Sequence, residues 1–180
     1  NPVPMSRLLQ GDVGSGKTII AIASLLLVIE KNLQGAFMVP TEVLAEQHYK
    51  NLLKYLNPLL VSVELLTGNT PQKKRKEIFS NLNNGLVDIL VGTHALFEDK
   101  VIFNALGMVV IDEQHRFGVT QRNRLLNKGE NTNLLSMTAT PIPRTLALSI
   151  YGDLDVSQIT ELPPGRVPIT TKIISEDDLT

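Results

Sequence analysis

The chain is predicted to be an α/β protein, a mostly parallel sheet covered by helices on both faces. Two observations predict this. Short runs of continuously apolar residues alternate with stretches of helical spacing along most of the 180 residues, and strands buried on both faces read in that way. In addition, each chemically suggestive segment falls just after one of those runs, where right-handed crossovers gather functional loops at the carboxyl edge of a parallel sheet.

The elements follow in order. Arg7-Leu8-Leu9-Gln10 is a first buried strand ending at a glycine. Ile19 to Lys31 is apolar nearly all round and reads as a buried helix. Gly35 to Pro40 is a second strand, and Glu42 to Leu56 has helical spacing with Thr41 as its N-cap. Val61 to Leu66 alternates as a third strand, followed by a polar-faced helix over Gln72 to Leu82. There, Lys73-Lys74-Arg75-Lys76 reads as a solvated basic face. Val87 to Val91 is a fourth strand ended by Gly92-Thr93, and Leu106 to Ile111 a fifth closed by Asp112. A short helix over Gln121 to Leu126, a sixth strand over Asn133 to Met137 and a helix over Pro143 to Tyr151 complete the pattern. Leu162 to Pro168 reads as a linker, and Ile169 to Thr180 as the start of a further unit. Residues 1–161 are therefore expected to form one domain and residues 162–180 a linker and beginning.

Bulk properties narrow the classes. Hydrophobic residues make up 43% and charged residues 19%, ordinary for a soluble globular domain. With no cysteine, disulfides and thiolate metal sites are excluded, which suits a reducing cytoplasm. The apolar stretch from Ile19 to Ile29 is too short to span a bilayer, and no signal peptide is read before the first strand, although the chain starts abruptly like an excised piece. Net charge is −1, so nucleic-acid contact is expected to be local or shared with further parts.

Gly11-Asp12-Val13-Gly14-Ser15-Gly16-Lys17-Thr18 fits the pattern G-x-x-x-x-G-K-[ST] between a strand and a helix. Such a loop turns successive backbone N–H groups onto the phosphates of a nucleoside triphosphate. Gly11, Gly14 and Gly16 provide freedom for positive φ, and the helix N-terminus adds partial positive charge. Lys17 is placed for the β- and γ-phosphates and the Thr18 hydroxyl for Mg²⁺. Asp112, ending a buried strand, is the second magnesium candidate. Side chains diverge at a strand's end, so Glu113 is expected to point elsewhere than Asp112 and to orient or deprotonate the water that attacks the γ-phosphorus. His48 and His115 lack metal-like spacing, and the absence of an Asn-Lys-x-Asp segment argues against a guanine-reading GTPase.

With Asp112-Glu113-Gln114-His115 the chain resembles the first RecA-like lobe of superfamily 2 helicases of the DEAD/DEAH-box kind. The wider wording, Leu9 to Thr18 and Asp112 to Val119, resembles the RecG branch-migration helicases. Val39 to His48, Leu66-Thr67-Gly68, Val91 to Leu96 and Ser136 to Arg144 match further motifs in the family's order. The motor lobe of the transcription-repair coupling factor is similar too, but more often has Phe where this chain has Ser15 and Glu where it has Gln114.

The resemblance implies a RecA-like P-loop NTPase lobe using ATP and Mg²⁺ to move on branched DNA. The partners it implies are a second RecA-like lobe, which supplies arginine fingers, and a wedge domain; no membrane is involved. A lone lobe would bind nucleotide weakly and hydrolyse it slowly. The resemblance also assigns Thr41, Thr67, Gly68, Thr93 and His94 to the DNA backbone; on residue chemistry alone Thr41 is equally a helix cap and Thr93 a turn residue. Gln114, His115, Thr138 and Thr140 are implied to couple the nucleotide site to lobe movement. A non-hydrolysing nucleotide-binding scaffold is the alternative from another class.

Overall fold

A computed structural model describes residues 3–113, 119–140 and 154–161. Its strands are β1 (Ser6–Gly11), β2 (Gln34–Met38), β3 (Val63–Leu66), β4 (Ile89–Gly92), β5 (Leu106–Ile111), β6 (Asn133–Thr138) and β7 (Asp155–Ile159). The helices are α1 (Lys17–Ile29), α2 (Glu42–Leu56), α3 (Gln72–Asn83) and α4 (Val119–Leu126). The strands form one sheet in the order β3-β4-β2-β5-β6-β1-β7, and every pairing is parallel.

Two apolar layers hold it. Because side chains alternate along a strand, Phe37 and Val110 pack on one side with Leu25 of α1 and Leu52 of α2. Met38, Val109 and Ile111 pack on the other with Ile78 and Leu82 of α3 and Leu125 of α4. β5 lies centrally and is buried at all six positions, which is why it reads as a continuous apolar run.

Several expectations change. α1 is not buried all round: Ala21, Ile22, Leu25 and Val28 face the sheet, while Ile20 and Leu27 are exposed. β7 was not anticipated as a strand. It is an edge strand paired only with β1 among the described residues, and its five residues are largely half-buried or exposed, without an apolar run. Arg75 is not on a solvated face but buried, for a reason given below. The helix expected over Pro143 to Tyr151 and the linker from Leu162 lie outside the described residues.

Candidate nucleotide cleft and backbone-facing concavity

The phosphate loop is shaped by its own short contacts. Ser15 N–H donates to the Asp12 carbonyl at 3.1 Å, and Val13 N–H to Asp12 Oδ1 at 2.7 Å. Gly16 precedes α1 with φ 94° and no side-chain cap on the helix, so its left-handed conformation suits glycine and the helix start is left open to an anion. Gly14 also has positive φ, but Gly11 does not. Gly11 is needed for space instead: a Cβ there would lie 2.5 Å from Ser15 Oγ and 3.2 Å from Ile159 Cβ.

Lys17 Nζ donates to the carbonyls of Gly11 at 2.7 Å and Asp12 at 2.8 Å, which poises the ammonium over the loop. Partial burial pushes it below the usual lysine range, while Asp112 and Glu113 pull the other way. A cleft of about 400 Å³ is lined by Val13, Gly14, Gly16, Lys17, Thr18, Asp112, Glu113 and Ala139, with Gln47, Asn51 and Tyr55 of α2 as its far wall. The loop and both carboxylates, distant in sequence, thus share one cavity because β1 and β5 end on the same sheet edge.

Asp112 stays in register with the sheet through its N–H, which donates to the Met38 carbonyl at 2.9 Å. Its Oδ1 accepts from Glu113 N–H at 3.0 Å. Glu113 has φ 55°, a left-handed value costing about 1–2 kcal/mol in a residue with a Cβ. That turn breaks strand alternation, so Glu113 lines the same cleft as Asp112 rather than diverging from it as expected. Gln114 and His115 lie outside the described residues.

Thr138 is buried; its Oγ1 lies 2.8 Å from Thr140 Oγ1 and accepts from Thr140 N–H at 3.2 Å. Between them, Ala139 reaches the nucleotide cleft, so the β6 loop touches the site through a residue that sequence reasoning passed over.

A second concavity of about 490 Å³ lies on the same edge, lined by Thr41, Glu42, Gly68, Thr93, His94 and Glu98 among others. Four of the five residues assigned to a nucleic-acid backbone meet there. The fifth, Thr67, is buried; its N–H donates to Thr70 Oγ1 at 2.9 Å, so it shapes the loop from beneath. Thr41 also caps α2, its Oγ1 accepting from Leu44 N–H at 3.3 Å.

Arg75 clasps the loop from beneath. Its guanidinium donates to the carbonyls of Thr67 at 2.7 Å and Thr70 at 3.2 Å and to Glu98 at 2.6 Å and 2.8 Å. Sequence reasoning missed it, and also His48, whose Nε2 lies 3.0 Å from Asp112 Oδ2. Both positions lie in buried helical stripes, Arg75 with Ile78 and Leu82 and His48 with Ala45, Leu52 and Leu56. Gln47, Asn51 and Tyr55 likewise recur at helical spacing and were legible as one face.

A strand-end phosphate loop opposed by two consecutive carboxylates on a parallel sheet defines a P-loop nucleotide-binding lobe. A family model of the DEAD/DEAH box helicases matches residues 4–148, and the chain belongs to that family. It is similar to the ATP-dependent DNA helicase RecG of Synechocystis sp., with 59% identity over 174 residues, covering 97% of this chain and 21% of that protein. It is also 54% identical to the protein of the same name from Bacillus subtilis over 179 residues, covering 99% of this chain and 26% of that one. Among solved structures, RecG bound to a three-way DNA junction aligns with a TM-score of 0.79 at 50% identity, over 92% of this chain and 22% of that chain. The parallel sheet is therefore that of a RecA-like helicase lobe. The chain spans about a quarter or less of the length of these relatives. No helix among the described residues is long and apolar enough to cross a membrane.

Proposed function

We propose that the chain is the ATP-binding motor lobe of a DNA helicase that couples hydrolysis to movement on, and remodelling of, branched DNA, including fork reversal and branch migration. The observation that carries this is the pair of concavities on one sheet edge. One holds the phosphate loop with Asp112 and Glu113, and the other gathers Thr41, Gly68, Thr93 and His94. The names of its relatives, and the three-way junction in a related structure, support branched DNA as the substrate class. Residues 1–161 form the lobe in this reading, with residues 162–180 leading towards a second RecA-like lobe. The setting is the bacterial cytosol or nucleoid.

The residues present fit Mg²⁺. Thr18 and Asp112 offer hard oxygens in the same cleft, the donor type that Mg²⁺ takes together with phosphate oxygens and water. Thr18 and Asp112 would hold the ion, Asp112 through water, and an ion there would supply positive charge against the triphosphate. The loop amides of residues 12–18 bind and orient the triphosphate. Lys17 exchanges its carbonyl partners for phosphate oxygens. Glu113 orients the attacking water and accepts its proton. Gln114, His115, Thr138 and Thr140 report the γ-phosphate to the rest of the motor. Thr41, Thr67, Gly68, Thr93 and His94 form the track for the DNA backbone, Thr67 through the loop that it shapes. A wedge domain and arginine fingers from the second lobe complete the intact machine, the fingers being worth about 10³–10⁵ in rate.

The test is phosphate release by the intact helicase with branched DNA. Lys17→Ala and Glu113→Gln are each expected to abolish DNA-stimulated release. Clean ATP binding without any release, on every DNA tried, would instead make the chain a scaffold.

A further inference from the structure

We propose that His48 is a positioning residue for the metal site, fixing the Asp112 carboxylate in the orientation that receives a hydrated magnesium ion. The inference rests on the reading of Asp112 as a metal residue and extends it to a side chain on another element.

Both oxygens of Asp112 are held, Oδ1 by Glu113 N–H at 3.0 Å and Oδ2 by His48 Nε2 at 3.0 Å. A carboxylate only accepts, so Nε2 carries the proton in this contact. The two side chains are 10% and 16% exposed, so bulk water does not easily replace the bond. The imidazole is itself fixed, its ring 4.7 Å from that of Phe37 at a tilt of 34°. Phe37 is wholly buried, and His48 is on the buried stripe of α2. Among the described residues Nδ1, which is buried, has no hydrogen-bond partner, and the Asp112 contact is the polar contact that the ring makes there.

An aspartate with free rotation about its Cβ–Cγ bond would present its oxygens to the cleft in many orientations. Pinned by two donors, it presents one. Groups that orient a metal-binding side chain in this way typically change metal affinity 10–100-fold when removed. The recorded contacts of His48 are with Asp112 and Phe37, not with the phosphate loop, so its effect is expected in the magnesium-dependent part of nucleotide binding.

The test is titration of a fluorescent ATP analogue into the intact helicase, once with Mg²⁺ and once with EDTA. His48→Asn places its amide nitrogen where Nδ1 stood, out of reach of Asp112, and His48→Leu removes the donor while keeping bulk. His48→Gln extends an N–H to the Nε2 position. With Mg²⁺, the Asn and Leu variants are expected to bind about tenfold more weakly than wild type, and the Gln variant within about twofold of it; with EDTA all four agree within about twofold. An equal loss in both arms would mark His48 as a packing residue and overturn the proposal. So would wild-type behaviour of the Asn and Leu variants, or a Gln variant no better than Asn. Should wild type itself bind no tighter with Mg²⁺ than with EDTA, the metal reading of Asp112 would fall first, and the proposal with it.

Discussion

Replacing Arg75 by alanine removes the clasp beneath the loops of the backbone-facing concavity, and its cost can be worked from the contacts. The guanidinium makes two hydrogen bonds to neutral carbonyls, of Thr67 and Thr70. Because the donor is charged, each is worth about 1.5–3 kcal/mol, together about 3–6 kcal/mol. Loss of the Glu98 pair adds less than for a fully buried pair, where about 3–5 kcal/mol is typical, because the Glu98 side chain is 39% exposed and can hydrate once alone. About 1 kcal/mol is a fair allowance, giving roughly 4–7 kcal/mol in total. Urea denaturation of wild type, Arg75→Ala, Glu98→Ala and the double variant would measure it, with the cycle isolating the pair term. The same loss should loosen Gly68 and Thr93 and weaken DNA binding with little change in ATP affinity. A shift below about 0.5 kcal/mol at unchanged m, or a loss of ATP affinity equal to that of DNA affinity, would refute the clasp.

Other expectations follow from the same contacts. Thr41→Ala should cost about 1 kcal/mol through the lost helix cap and also weaken DNA binding, read from denaturation and from filter binding at two salt concentrations. Gly11→Ala should weaken ATP binding in equilibrium titration, because its Cβ would lie 2.5 Å from Ser15 Oγ and 3.2 Å from Ile159 Cβ, so that the Ser15 hydroxyl must turn away and the loop give slightly. Burial pushes Lys128 below the usual lysine range. Between its folded pKa and the ordinary 10.5, the unfolded chain therefore binds more protons than the folded one, and stability from this group rises with pH. Denaturation of wild type and Lys128→Met across that alkaline window should show wild type gaining on the variant as pH rises, and a constant difference would refute the shift.

Most of the sheet was legible because β2, β4 and β5 are buried on both faces and so read as apolar runs. β7 was not, because its Asp155, Ser157 and Gln158 sit at an edge where polarity is tolerated; a short alternating segment before a proline-rich stretch looks like loop. The phosphate loop and its carboxylate partners were legible because their chemistry is local to each segment. What escaped depends on partners far along the chain. His48 and Asp112 are 64 positions apart, and Arg75 and Glu98 are 23 apart. Helical spacing marks each as inward-facing, yet says nothing of what it meets. The left-handed turn at Glu113 escaped for a different reason: glutamate has no preference for that conformation, and only the fold around it imposes the strain.

Helix α2 gives the two concavities a common wall. Its N-cap, Thr41, lines the second concavity, and Gln47, Asn51 and Tyr55 line the cleft of the phosphate loop. His48, between them, holds Asp112. A helix 15 residues long, with Ala45, Leu52 and Leu56 buried against the sheet, runs from one concavity to the other. If a ligand at Thr41 shifts α2 as a unit, the Asp112 carboxylate meets that shift through its contact with His48. Any such coupling is reciprocal: if a ligand in the second concavity raises magnesium-nucleotide affinity through α2, then magnesium-nucleotide must raise that ligand's affinity by the same factor. Wedged between Phe37 and Asp112, His48 is where that factor would be lost.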